Sequence, residues 1–287
     1  MTLSNIIIGE LPLVFFTVVA QASVGLSLVY ALCTKLSSDA KIDSRKNFGA
    51  LFLALTCFGI IASVFHLGDP LHAPYMILRM VGFTQNGTWI VSWLPLEILG
   101  IGIMALLGIF VMLRGSLIAI YVLPFVGFLT LFAMSGIYGS MAQIVPTWSF
   151  GLTFLLFCAS ALLLGGFTYR AFFAEVTKEI ALSSLVSIGG FVLFTLALLL
   201  YTLHNAEVRI DAIANVFDLM HGYYACFVGG GLILVGVGLM LNTYKDLLPG
   251  CFTCTMYTKL ALSIVFVGVL ATRVAFYGLI TTHFFIG

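Results

Sequence analysis

Eight apolar runs of about 20 residues each divide this chain, and a helix of that length crosses the hydrocarbon of a bilayer. The runs cover residues 11–33, 48–65, 90–113, 117–138, 149–169, 182–203, 221–243 and 260–280. They lack a two-residue alternation, and each is about twice as long as a barrel strand, so helices are favoured over a β-barrel. We therefore expect an all-α, polytopic membrane protein, with one domain of eight transmembrane helices over residues 1–287.

The composition supports this prediction. Apolar residues make up 62% of the chain and charged residues 8%, which leaves too little polar surface for a soluble domain. We expect the lipid bilayer to cover most of the protein. The net charge of +1 argues against a nucleic-acid partner, because such proteins carry a basic surface.

The basic residues divide unevenly between the two sets of connections. Nine lie on one side: Lys35, Lys41, Arg45, Lys46, Arg114, Arg170, Lys178, Lys245 and Lys259. The other side holds Arg79 and Arg209. Because cytoplasmic loops are enriched in Lys and Arg, we expect both termini to lie outside (N-out, C-out).

With that orientation, the histidines all fall at the outer ends of the helices. They are His66, His72, His204, His221 and His283. His66 closes the second run, and Asp69 follows closely enough to fix its tautomer. An imidazole titrates near physiological pH, as a proton acceptor must. The alternative for His66 is an interfacial anchor at a helix end.

Two ionisable residues lie within the apolar runs. Glu97 is in the outer half of the third run and Arg273 in the outer half of the eighth. Ionisable groups in hydrocarbon are costly and are therefore functional candidates. The alternative is an ion pair that only fixes the contact between two helices.

Further polar residues fall within or beside the apolar runs. They are Gln21, Ser23 and Ser27 in the first run, and Tyr138, Gln143 and Trp148 around the end of the fourth. Such groups form hydrogen bonds between helices or border a mostly apolar ligand pocket. A quinone ring with its isoprenoid tail would suit that pocket.

No pattern in the sequence favours a metal or haem. A transmembrane haem path needs histidines at two depths, and the outer loops offer neither cysteine nor an HExxH spacing for zinc. Cys251 and Cys254 form a CxxC on the inner side. Without a thioredoxin-like context we interpret them as an inert pair, with a redox or metal role as the alternative.

Five segments resemble the membrane-anchor subunit of dimethyl sulfoxide reductase-type molybdoenzymes, and the resemblance covers nearly the whole chain. They are residues 12–25 (PLVFFTVVAQASVG), 63–70 (SVFHLGDP), 92–97 (SWLPLE), 145–148 (VPTW) and 273–278 (RVAFYG). The histidine-leucine-glycine-x-proline piece is the most specific. The sequence departs from the family at His72, where a basic residue is frequent, and at Val269, where an acid is frequent.

The resemblance implies an anchor of the bacterial inner membrane that oxidises menaquinol at the outer face, in anaerobic respiration. Electrons would pass to an iron–sulfur subunit, and then to a molybdopterin subunit that reduces S-oxides or N-oxides. His66 corresponds to the quinol-site histidine of the family and Glu97 to its membrane glutamate. Arg273 and Tyr277 match the last-helix motif. The anchor itself would carry no haem or metal.

The full candidate site is catalytic His66 and Glu97, with a quinol-binding set of His66, Asp69, His72, Gln21, Glu97, Tyr138, Arg273 and Tyr277. The protein would be a component of an oxidoreductase complex, with the terminal reduction on a partner subunit. Two alternatives remain. One is a secondary transporter that uses Glu97 and Arg273, and the other is a purely structural anchor.

Overall fold

A computed structural model describes residues 3–36, 42–65, 83–85, 88–90, 92–209, 215–220, 222–244 and 254–279. The predicted site residues His66, Asp69 and His72 lie outside these ranges, as do His221, His283 and Cys251.

Eight helices account for most of the described residues. They are α1 (Leu3–Leu36), α2 (Ile42–Val64), α3 (Trp93–Arg114), α4 (Leu117–Ser140), α5 (Phe150–Phe172), α6 (Thr177–Glu207), α7 (Tyr223–Tyr244) and α8 (Cys254–Gly278). All eight are long and apolar enough to cross a membrane. The prediction of an all-α protein with eight transmembrane helices is confirmed.

The boundaries of two predicted runs differ from those of the helices. The run predicted to begin at residue 90 becomes helical only at Trp93, because residues 88–90 form a strand. That strand, β2 (Thr88–Ile90), pairs antiparallel with β1 (Phe83–Gln85). In contrast, α6 is longer than its apolar run and extends several residues beyond it at both ends. Hydropathy marks only the part of a helix that lies in hydrocarbon.

Helix α1 occupies the centre of the bundle. It packs against α2, α4, α5 and α8, and its polar residues Gln21, Ser23 and Ser27 are fully buried. A Cβ atom on Gly25 would fall on the carbonyl group of Ala161 in α5. Small residues allow this backbone contact, which supplies van der Waals packing where lipid removes the hydrophobic drive between helices.

The two ends of the bundle differ in character. At one end Tyr30 stacks on Phe48, with ring centroids 4.0 Å apart, and Arg170 donates hydrogen bonds to Ile180 O (3.2 Å) and Ser184 Oγ (2.7 Å). We call this end, where α3 ends at Arg114, the basic end. The α4–α5 turn, the start of α3 and the last turns of α6 and α8 lie at the other end, which we call the opposite end.

Candidate functional site

Arg273 is a buried cation near the middle of the bundle. Its side chain is 1% exposed. Its Nη2 donates hydrogen bonds to Gln21 Oε1 (2.9 Å) on α1 and to Ser160 Oγ (3.2 Å) on α5. Gln21 and Ser160 both fall near the centres of their helices, so the guanidinium group lies about halfway across the bundle.

Aromatic rings surround the Arg273 guanidinium. Its Cζ lies 4.4 Å from the ring centroid of Phe157 and 5.5 Å from that of Phe276. A cation over aromatic faces is stabilised by the ring quadrupoles, more strongly when water is excluded. These rings offset part of the cost of burying the charge.

Arg273, Gln21, Ser160 and the rings of Phe157 and Phe276 form what we call the Arg273 cluster, and several of its N–H groups do not donate a hydrogen bond to the described residues. Arg273 Nε and Nη1 and Gln21 Nε2 have no hydrogen-bond partner among the protein atoms that the structure describes. Buried polar groups are normally hydrogen-bonded, so these N–H groups form a place for an oxygen acceptor. Val269, one turn earlier on α8, is buried and apolar, and the acceptors of the guanidinium therefore come from α1 and α5.

Tyr138 and Tyr277 share a hydrogen bond between their hydroxyl groups, which joins α4 to α8. Both rings are buried. The Thr17 hydroxyl of α1 lies beside that of Tyr277, and the ring of Trp148 meets Tyr138 edge-on at 4.9 Å. This hydroxyl pair lies between Arg273 and the opposite end of the bundle.

Glu97 lies one turn into α3 and is 6% exposed. Its carboxyl group is within electrostatic range of the Tyr138 and Tyr277 hydroxyls. Within the described part of the protein, it does not pair with Arg273. Glu97 and Arg273 therefore do not form the ion pair that the sequence allowed. The hydroxyl groups of Tyr138 and Tyr277 are within electrostatic range of both side chains.

A narrow cleft lies between α1, α2, α3 and α4. Its walls include Phe16, Ser23, Thr56, Met104, Thr130 and Met134. Ile101 also lines the cleft; it follows Glu97 by one helical turn, so both side chains share a face of α3. The cleft is mostly apolar.

Four of the predicted site residues come together: Gln21, Tyr138, Arg273 and Tyr277. Ser23 and Ser27 do not contact this group, because their hydroxyls donate to Ala20 O (2.8 Å) and Val24 O (2.7 Å) within α1. Sequence reasoning missed Ser160 and Phe157. A single serine or phenylalanine in an apolar helix carries no pattern that indicates its neighbours.

The described residues contain no group of three or more His, Cys, Asp or Glu side chains that could hold a metal ion. The N–H donors around Arg273 suit an oxygen acceptor and cannot ligate a metal.

The family model described as DMSO reductase anchor subunit (DmsC) matches residues 5–279. The protein belongs to this family.

Two relatives in this anchor-subunit family match nearly the whole sequence. The C subunit of the anaerobic dimethyl sulfoxide reductase of Haemophilus influenzae is 30% identical over 285 residues, 96% of each protein. The YnfH subunit of the anaerobic dimethyl sulfoxide reductase of Escherichia coli K12 is 26% identical over 296 residues, 94% of each protein. No solved structure gives a significant match. As a member of the family, the protein is a membrane-anchor subunit, and catalytic and electron-transfer subunits are its partners.

Proposed function

We propose that this anchor oxidises menaquinol and passes the electrons to an iron–sulfur partner subunit. The observation that supports the proposal is the buried Arg273 cluster. Its guanidinium and the Gln21 amide offer three donor nitrogens that have no hydrogen-bond partner among the described residues, and aromatic rings surround the guanidinium. Such a site accepts a neutral molecule that has an oxygen acceptor and an apolar body.

Arg273 and Gln21 hold one oxygen of the quinol ring in this proposal. The hydroxyls of Tyr138 and Tyr277 lie on the side towards the opposite end, with Glu97 in electrostatic range of both. Glu97 accepts a proton as the quinol is oxidised. His66, with Asp69 and His72 nearby in sequence, accepts the second proton.

Oxidation of one quinol releases two electrons and two protons. In this proposal a docked iron–sulfur subunit takes the electrons. It delivers them to a molybdopterin subunit that reduces an S-oxide or N-oxide. In a bacterial inner membrane with the N-out, C-out orientation, the opposite end faces outwards. Both partners dock there, and the protons leave on the same side.

The test compares two electron donors in membranes that carry the assembled complex. Electrons from menaquinol analogues must pass through the anchor, whereas a reduced viologen dye supplies electrons directly to the water-exposed subunits. We expect Arg273→Leu to lower quinol-dependent reduction of dimethyl sulfoxide about 100-fold, the scale of lost preorganised electrostatic contacts. The viologen-dependent rate stays unchanged.

Arg114→Leu is the matched control, because Arg114 ends α3 at the basic end, away from the cluster. It should leave both rates unchanged. Normal quinol turnover in Arg273→Leu would exclude the proposed site and favour a purely structural anchor. Substrate uptake by the isolated protein in vesicles would favour the transporter that uses Glu97 and Arg273.

A further inference from the structure

A second group of polar residues lies at the opposite end of the bundle, between α6, α7 and the α4–α5 turn. Tyr201 Oη donates a hydrogen bond to Thr147 O (2.6 Å), and His204 Nε2 lies 3.1 Å from Pro146 O. These two contacts hold the turn against the last two turns of α6. None of these residues takes part in the proposed quinol site.

This group contains four buried polar atoms without a protein partner in the described structure. They are Thr147 Oγ1, Trp148 Nε1 and both amide atoms of Asn205. Thr147 and Asn205 are 0% exposed and Trp148 is 7% exposed. The Tyr224 hydroxyl lies beside the Asn205 amide without closing a hydrogen bond of normal geometry. Ordered water is the usual partner of buried polar atoms that the protein leaves unsatisfied.

The polar group borders the site around Arg273, and aromatic rings form the contact between the two. Trp148 contacts the Tyr138 ring edge-on, and Tyr201 is in electrostatic range of Arg273, Tyr277 and Tyr224. On its outer side the group includes His204, which is only partly buried. It therefore lies between the tyrosine hydroxyl pair and the surface at the opposite end.

The tautomer of His204 follows from its partner. Pro146 O is a carbonyl and can only accept, so Nε2 of the neutral imidazole carries the hydrogen. Nδ1 is then the nitrogen that accepts a proton. With Nδ1 as acceptor, the imidazole can take a proton from the polar group and return it to solvent.

We propose that Thr147, Trp148 and Asn205 line a water-filled proton exit from the Tyr138–Tyr277 pair to His204. The inference rests on the proposed quinol oxidation. Each quinol loses two electrons to the iron–sulfur partner and two protons: one proton goes to His66, and this path releases the other, which Glu97 accepts, to water at the opposite end. The residues act by positioning water, and His204 transfers the proton to solvent.

Asn205→Leu and Thr147→Val test the path in the assembled complex. Thr147→Val is nearly isosteric and removes a hydroxyl that has no partner among the described residues, so the fold tolerates it even if Asn205→Leu impairs assembly. We expect kcat for quinol oxidation to fall about ten-fold, below the full effect of losing a direct proton acceptor. The KM for quinol stays within about two-fold, because ground-state binding is unchanged. The solvent deuterium isotope effect on kcat increases, and viologen-dependent activity is unaffected.

Asn242→Leu is the control, because Asn242 is also buried, with an amide oxygen that has no partner in the described part of the protein, but lies near the basic end of α7. It should leave kcat and the isotope effect unchanged. His204→Ala should slow turnover, and added imidazole should restore part of the rate, which a structural role would not produce.

Unchanged kcat and isotope effect in assembled Thr147→Val and His204→Ala complexes would overturn the path. If Arg273→Leu still abolishes quinol oxidation in that case, only the path fails. If Arg273→Leu is also fully active, the quinol site itself is wrong.

Discussion

Arg273 on the last helix and Gln21 on the first share a hydrogen bond of 2.9 Å across 252 residues of sequence. Both side chains are buried, and the acceptor is neutral. A charge buried in hydrocarbon is stabilised mainly by its hydrogen bonds and by the surrounding rings. The contact therefore fixes how α8 lies against α1, and it also sets the direction of the free guanidinium donors.

Replacement of Gln21 by glutamate should preserve assembly and slow quinol oxidation. The new carboxylate forms a charge-assisted pair with Arg273 and neutralises the cation that binds the quinol oxygen. We expect the KM for quinol to rise about ten-fold, equivalent to about 1.4 kcal/mol of lost binding. Kinetics of quinol-dependent and viologen-dependent reduction would measure this, and an unchanged KM would contradict it.

The hydroxyl pair of Tyr138 and Tyr277 should behave as one unit. Tyr138→Phe or Tyr277→Phe alone leaves the other buried hydroxyl without this partner, at a cost of about 1–3 kcal/mol. The double variant removes both hydroxyls, and its loss of stability should be smaller than the sum of the two single losses. Thermal unfolding of the purified complex tests this, and strict additivity would show that the two hydroxyls are independent.

His66→Leu should slow quinol oxidation strongly without loss of assembly, and Glu97→Gln should slow it or change its pH profile. Both substitutions remove a proton acceptor and keep the approximate size of the side chain. Immunodetection of the complex in membranes controls for assembly. Normal turnover of both variants across the pH range would exclude these residues from the site.

Gly25→Ala should destabilise the bundle, because a Cβ at this position falls on the Ala161 carbonyl of α5. Separating the helices to make room costs about 2 kcal/mol or more. Gly102→Ala is the matched control, since no atom lies near a Cβ there. A lower melting temperature is expected for the first variant only, and equal melting temperatures would show that the helices shift freely.

Both termini should lie outside the cytoplasm. The basic residues of the described segments gather mainly at one end of the bundle, and positive loops stay on the cytoplasmic side. A reporter enzyme that is active only outside the cytoplasm should be active when it is fused after Gly287. A reporter that is active only in the cytoplasm should be inactive at the same position. The reverse pattern would move the proposed quinol site and its partners to the cytoplasmic face.

The sequence predicted the number and position of the helices because lipid demands long apolar helices with internally satisfied backbones. Gln21, Tyr138 and Arg273 were candidates because polar groups in apolar runs are conspicuous, and Tyr277 was a candidate because of the resemblance to the anchor-subunit family. The structure brings these four residues together, and their role in a quinol site stays a prediction.

Which residues face each other did not follow from the sequence. Glu97 and Arg273 share a half of the bundle, yet the direction in which each side chain points depends on how the helices pack. Ser160 was missed for the same reason: its role appears only when α5 lies against α1 and α8.

The central position of α1 has a consequence for biogenesis. The ribosome releases this helix before its neighbours α5 and α8 are synthesised. Until α8 inserts, Gln21 lies in the membrane or at the translocon without Arg273 beside it. Insertion of α8 brings a costly arginine into lipid, and Gln21 and Ser160 are already in place to accept its hydrogen bonds, so the entry of α8 completes this buried polar contact.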